Sequence, residues 1–218
     1  MDIKADENTV IVFDLDDTLY NEVDYLRSVY MKFAKELEPD SWQQLFAHIF
    51  SLYRNKLDAF EYISTTYNLS KLDLISSYRT HIPHIKPFDG VLRTFDKIKG
   101  KNAKIAIITD GRKRTQMNKV DALGLTPYLD HIVISEEIGS EKPDKRNYRA
   151  IEERFNKTSY YYIADNVKKD FVTPNGMGWQ TIALMDRGLN IHANAHLQKE
   201  QEYLPHNYIS SFSEITIS

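Results

Sequence analysis

Five short runs of β-forming residues, separated by stretches with helical periodicity, restrict this chain to the α/β class before any other feature is weighed. The runs lie at residues 10–15, 103–109, 131–135, 160–164 and 181–185, and strands that alternate with helices in this way build parallel sheets from βαβ crossovers. Within each run Val, Ile, Leu, Phe and Tyr follow one another with little polar interruption, the pattern of strands covered on both faces. The expected core is therefore a doubly wound parallel sheet.

The gap between the first two runs, residues 16–102, far exceeds the dozen or so residues that a crossover needs. An inserted module is expected there. Residues 21–81 read as helical, with Leu26, Val29, Tyr30, Phe33 and Leu37 recurring along one helix face. Three or four helices fit this length, punctuated by Pro39 and Pro83, and Pro87-Phe-Asp-Gly marks the return to the core before a helix at 91–99. The organisation is thus a core of residues 1–19 and 88–218 and a helical cap of residues 20–87. Residues 186–206 are polar with no clear element signature, and a short strand is expected at Asn207–Ile209.

Composition narrows the ligand. At 42% hydrophobic and 27% charged the chain is an ordinary globular protein, and its net charge of −3 offers no positive field for nucleic acid or an anionic membrane. Cysteine is absent, which removes disulfides and thiolate chemistry and fits a reducing compartment. Residues 1–9 are polar and acidic where an export signal is basic and then apolar. The longest apolar stretches, about five residues, fall far short of the roughly 20 that span a bilayer. A cytoplasmic protein with a small ligand is expected, and oligomeric state has no signature.

Chemistry concentrates at the strand ends, where ligands bind in open parallel sheets. The first strand runs into Asp14-Leu-Asp-Asp-Thr, so Asp14 and Asp16, two apart, share a face if the extended geometry persists. Two such charges about 4 Å apart repel by roughly 4 kcal/mol at an effective dielectric of 20, which calls for a hard cation such as magnesium. The bland alternative is an acidic turn in which Asp17 or Thr18 caps the next helix. The second strand ends in Thr109-Asp-Gly, where the hydroxyl and the amides near Asp110 and Gly111 can meet an anion, or can simply cap a helix. After the third strand, Gly139-Ser-Glu-Lys-Pro-Asp places Pro143 as the first residue of a helix and Lys142 just before it. A cation there opposes the helix dipole, so either an acidic cluster or phosphate lies nearby, or the lysine is a solvated surface group. Asp165 at the end of the fourth strand is the natural third metal ligand, and Asp170 either orients the site or serves a helix N-terminus.

Other signals are weaker. Arg112, Lys113 and Arg114 read as a solvated helix face, with Arg112 a possible substrate contact. His192 and His196 are four apart, but Asn190 and Asn194 beside them point to a loop rather than a metal-binding helix. His81 and His84 flank Pro83 at a hinge, and Tyr25, Tyr30, Trp42, Phe46 and Phe50 read as cap packing.

Taken together, Asp14-Leu-Asp-Asp-Thr, Thr109, Lys142 and Asp165 with Asp170 resemble the four motifs of the haloacid dehalogenase-like (HAD) superfamily. An insert after the first motif resembles the helical cap of its phosphoglycolate phosphatase and β-phosphoglucomutase subgroup. The resemblance implies a Rossmann-like core and a magnesium-dependent phosphatase acting on a small phosphorylated metabolite of the sugar or nucleotide phosphate class. It makes Asp14 the nucleophile that forms an aspartyl-phosphate and Asp16 the general acid, later base. Asp14, the backbone carbonyl of Asp16, and Asp165 would hold Mg2+; Thr109, Asp110, Gly111 and Lys142 would bind phosphate; Asp170 would orient. Ala164 and Asp110 stand where many members have Gly and Asn. Asp16 favours phosphoryl transfer over dehalogenation, while a mutase or phosphotransferase on the same scaffold, or a phospho-accepting signalling or binding domain without turnover, are the rival readings.

Overall fold

A computed structural model describes residues 1–193, 195–198 and 200–218; Asn194 lies outside them. The chain opens with a two-residue strand, β1 (Asp2–Ile3), and enters the main sheet at β2 (Thr9–Phe13). Four helices follow: α1 (Glu22–Leu37), α2 (Trp42–Arg54), α3 (Ala59–Tyr67) and α4 (Lys71–Thr80). The core resumes with α5 (Val91–Gly100), β3 (Lys104–Thr109), α6 (Lys113–Ala122), β4 (His131–Ile134), α7 (Ser135–Ile138) and α8 (Lys145–Phe155). It closes with β5 (Ser159–Ala164), α9 (Val172–Gly176), β6 (Gln180–Leu184), β7 (Asn207–Ile209) and β8 (Thr216–Ile217).

Six strands form one parallel sheet in the order β4-β3-β2-β5-β6-β7, a Rossmann-like doubly wound α/β fold. From β2 the chain winds outward to β4, then returns to place β5 on the other side of β2. The order reverses there, and the crevice beyond the carboxyl ends of β2 and β5 is the place such a sheet offers a ligand.

The unbroken apolar runs follow from burial on both faces. Val10 and Val12 join Ala106, Ile108, Tyr162 and Ala164 on one side, under Tyr148 and Ile151 of α8 and under Trp179. Ile11 and Phe13 join Ile105, Ile107, Ile163 and Ile182 on the other, against Val91, Phe95 and Ile98 of α5. Alternate side chains thus enter different cores, and each buried aliphatic or aromatic side chain contributes about 1.5–3 kcal/mol.

The second core continues into the cap. On α1 the residues Tyr25, Leu26, Val29, Tyr30, Phe33 and Ala34 are buried at helical spacing, and Phe60 of α3 meets Tyr30 and Phe33 edge-on at 5.9 and 6.2 Å. Phe46 and Phe50 stack on each other, and Lys35 lies over Trp42. Asp58 and Ser70 cap α3 and α4 by accepting the Glu61 and Asp73 N–H groups.

Two expectations need correction. Strand limits move by one or two residues, and β2 ends at Phe13 rather than at residue 15 because the chain leaves the ladder once the Asp14 N–H has donated to the Ile163 carbonyl. Pro143 is not the first residue of a helix: α8 starts at Lys145, because the Asp144 carboxylate accepts the Arg146 N–H and caps it there. The pair β1–β8 carries no sequence signal, since two residues are too few to show a period. Residues 186–206 include two short 3-10 turns, Ala195–Leu197 and Gln201–Tyr203. Among the described residues no helix is long and apolar enough to cross a membrane.

The cap meets the core at the carboxyl end of α4, whose free carbonyls are taken by α6: Thr115 donates to Arg79, and Asn118 to Thr80 and His81. His81 also bonds Ser28 of α1 at 2.7 Å and lies edge-on to Tyr25. Burial, reinforced by the nearby Lys32 and His84 charges, pushes the His81 imidazole down to about 4 from an ordinary 6.5. The unfolded chain therefore takes up this proton first as the pH falls, so the His81 contribution is complete above about 6.5 and is lost progressively towards 4. In thermal melts His81→Gln should gain stability relative to the wild type as the pH falls from 7 to 5, since it lacks this depressed imidazole; a difference that stays constant with pH would remove His81 from the explanation.

Candidate active site

β2 and β5 are adjacent, and each is followed at once by an aspartate, Asp14 and Asp165. The chain then turns at Asp17, whose φ of 57° lies in the left-handed region that Asp tolerates better than most residues. The Asp17 carboxylate holds this turn by accepting the Glu22 N–H of α1 at 2.8 Å and the Ile191 N–H at 2.7 Å. Asp17 thus serves the start of the helix, whereas Thr18 faces the acids, 3.5 Å from Asp14 Oδ2 and 3.3 Å from Asp165 Oδ1.

Asp14, Asp165 and Asp170 converge, each offering an oxygen within 4.8 Å of the others. Burial pushes the Asp14 carboxyl up to about 7 against the pull of Lys142. Burial, with Asp14 and Asp170 beside it, drives Asp165 well above the carboxylate range. The cluster supplies only oxygen, which suits a hard divalent cation, and of its three members Asp170 is already committed to Lys142, Tyr162 and Asn166. Neither His192 nor His196 belongs to such a cluster among the described residues.

Lys142 lies beneath this triad, 5% exposed. Its Nζ is 2.6 Å from Asp14 Oδ1, 2.8 Å from Asp170 Oδ1 and 3.2 Å from the Tyr162 hydroxyl. Burial alone would strip its proton, but Asp14 and Asp170 outweigh that and raise its pKa well above the ordinary lysine range. A cation close to a helix start thus has its reason in the acids it neutralises. Asp170, fully buried, also accepts the Asn166 N–H at 3.0 Å and the Tyr162 hydroxyl, so both of its oxygens are engaged.

Thr109 ends β3 beside the triad, buried, and its Oγ1 accepts from Gln116. Asp110 binds the Lys142 N–H at 3.1 Å and Lys169 Nζ at 2.6 Å. The Gly111 N–H donates to Ser135 Oγ at 2.9 Å, with a φ of 134° and a Cβ position only 3.3 Å from the Gln116 side chain, which suits glycine. Arg112 is exposed and paired with Glu136 at 2.7 Å, and Lys113 is paired with Glu137, an outer helix face.

Asp16 stands apart from the triad. Its carboxylate accepts from Lys119 Nζ at 2.7 and 2.8 Å, from Gln116 Nε2 at 2.9 Å and from the Tyr20 hydroxyl. Burial favours protonation, but the Lys119 ammonium and these hydrogen bonds outweigh it and hold Asp16 below the usual carboxylate range. Glu22 is close by, pushed up to about 8 by burial and by the Asp16 charge.

A cavity of about 240 Å³ opens over these groups, lined by Asp14, Asp16, Thr109, Asp110, Gly111 and Asp165, with Glu22, Lys169 and His192 also on its wall. Segment 186–192 is tied across it, since Asn190 Nδ2 donates to Asp165 Oδ2 at 2.8 Å and Arg187 lies over Phe88 at 4.0 Å. A larger cavity, about 690 Å³ between α1 and residues 81–86, has no such acid cluster. Lys119, Gln116, Lys169 and Asn190 escape a strand-end reading. One signal for the first two exists: on α6 the buried stripe Thr115, Gln116, Lys119 and Val120 is mostly polar where a core-facing stripe is usually apolar.

The profile of the haloacid dehalogenase-like hydrolase family matches residues 11–184. A glyceraldehyde 3-phosphate phosphatase of Methanocaldococcus jannaschii is 24% identical over 197 residues, covering 80% of this chain and 84% of that protein. A pyrimidine 5'-nucleotidase of Escherichia coli, YjjG, is 31% identical over 132 residues, or 59% of this chain and 55% of that protein. Among solved structures, a HAD-hydrolase of Bacillus subtilis, YfnB, bound to magnesium, matches with a TM-score of 0.68 at 19% identity over 97% of both chains.

Proposed function

Because the chain belongs to the haloacid dehalogenase-like hydrolases, we propose that it is a phosphatase in which Asp14 attacks phosphorus and a small phosphorylated carbohydrate is the substrate. The observation that carries this reading is the convergence of Asp14, Asp165 and Asp170 within 4.8 Å at the point where the strand order reverses, with Lys142 beneath them. Asp14 bonds to phosphorus as the alcohol leaves, and water then cleaves the aspartyl-phosphate to release inorganic phosphate. Asp16 is the group that gives the departing oxygen its proton in the first half and takes one from water in the second; because Lys119, Gln116 and Tyr20 hold it as the carboxylate here, the first half requires those contacts to loosen and Asp16 to take up a proton beforehand. Thr109 and Lys142 bind phosphoryl oxygens, and the Asp110 amide is the further donor, because the Gly111 N–H is taken by Ser135 Oγ.

Asp14, the Asp16 backbone carbonyl and Asp165 are the groups that would hold Mg2+, which when bound offsets the negative charge gathered on the transferring phosphoryl group. Asp170 has both oxygens engaged by Lys142, Tyr162 and Asn166, which supports an orienting role. The cavity of about 240 Å³ over these groups suits a small phosphorylated substrate. Relatives named for glyceraldehyde 3-phosphate and for ribulose-1,5-bisphosphate support the same class.

A panel of triose, pentose and hexose phosphates, nucleoside monophosphates and an aryl phosphate tests this directly. Magnesium-dependent phosphate release that a chelator stops, fastest on the smaller sugars, is the expected result. A panel with no release from any compound would defeat the reading, and transfer to a sugar hydroxyl without release would make the protein a mutase.

A further inference from the structure

Lys119 occupies a position on α6 where an ammonium is costly. It is 3% exposed on the buried stripe of the helix, where a charge without a partner is strongly destabilising. Asp16 is the partner of its only ion pair among the described residues, and its Nζ reaches both Asp16 oxygens, at 2.7 and 2.8 Å. The Tyr25 ring of α1 lies over the ammonium, 4.9 Å from its centre, and covers Lys119 from that side.

Gln116, one turn earlier, donates to Asp16 Oδ2 and to Thr109 Oγ1, and the Tyr20 hydroxyl donates to Asp16 Oδ1. Each Asp16 oxygen therefore meets two donors, drawn from α6 and from the loop that leads into the cap. The terminal torsion of an aspartate is broad by itself, so nothing within Asp16 sets the direction of its oxygens.

Resting on the phosphatase reading, we propose that Lys119 is a positioning residue of the reaction: it fixes the angle of the Asp16 carboxylate, while Gln116 ties the same carboxylate to Thr109. The pair acts as a unit, so its members should be non-additive.

The experiment is a double-mutant cycle with Lys119→Met, Asp16→Asn and the combination, assayed on the best substrate of the panel. Lys119→Met should lower kcat by about 10²-fold, the scale of a small misplacement in a site, with KM nearly unchanged. Added to Asp16→Asn, it should slow the enzyme no further. Thermal melts check folding, and Lys119→Gln, which keeps one donor, provides the same cycle should the methionine variant not fold.

A Lys119→Met enzyme with wild-type kcat overturns the inference alone. So does a variant that slows Asp16→Asn by the factor it imposes on the wild type, since Lys119 then acts independently of Asp16. A wild-type protein that turns over no phosphate ester overturns the phosphatase reading and this inference together.

Discussion

Asp14→Asn should abolish phosphate release, by a factor on the order of 10⁵ to 10⁶ as for other enzymes that lose their nucleophile, while leaving a fully folded protein. The amide nitrogen cannot attack phosphorus, and the exchange is isosteric at a buried position. Stability should hold or rise, because at pH 8 the substitution removes a desolvated charge from a cluster that also contains Asp165 and Asp170, and Lys142 keeps its 2.8 Å partner in Asp170. Phosphate release and thermal melts, both at pH 8, give the two readings. Activity near that of the wild type would eliminate Asp14 as nucleophile, and a large fall in melting temperature would turn the loss of activity into a folding effect.

Lys142→Met is the complementary case, in which stability and turnover fall together. The ammonium is the shared partner of Asp14 and Asp170. Its removal leaves buried carboxylates without compensation, a loss of about 3–5 kcal/mol, or on the order of 10 °C in Tm for a protein of this size. Combining it with Asp14→Asn should recover part of that loss by removing one orphaned charge. The exposed pair Arg146–Asp144 provides the contrast, since Arg146→Gln, which leaves the Asp144 cap in place, should barely change stability. If denaturant or thermal melts of Lys142→Met matched the wild type, the account of the triad as a charge cluster neutralised from beneath would be wrong.

The fold was largely legible because its signals are local. The apolar runs reach the sheet with shifts of a residue or two, and the stripe on α1 from Leu26 to Phe33 is buried as its period requires. The start of α8 was misread because Pro at a helix start is a tendency, whereas the Asp144 side chain actually makes the capping bond. Asp14, Thr109 and Asp165 could be found as candidates because each lies at or just beyond a strand end, a place that chain order alone identifies.

Lys119 and Asn190 were illegible for the opposite reason. Whether a lysine on α6 faces water or Asp16 depends on how that helix rotates onto the sheet and cap, and whether Asn190 meets Asp165 depends on the path of a loop without periodicity.

What the chain determined by itself is therefore the class of fold and the acids at its strand ends, since strand period, helix period and chain order act over a few residues at a time. What only the tertiary structure decided is which charges neutralise one another. Lys142 and Asp14 are 128 positions apart, and Lys119 and Asp16 are 103 apart. Coulombic pairing in a dry interior depends on a few ångströms of packing that no local pattern encodes.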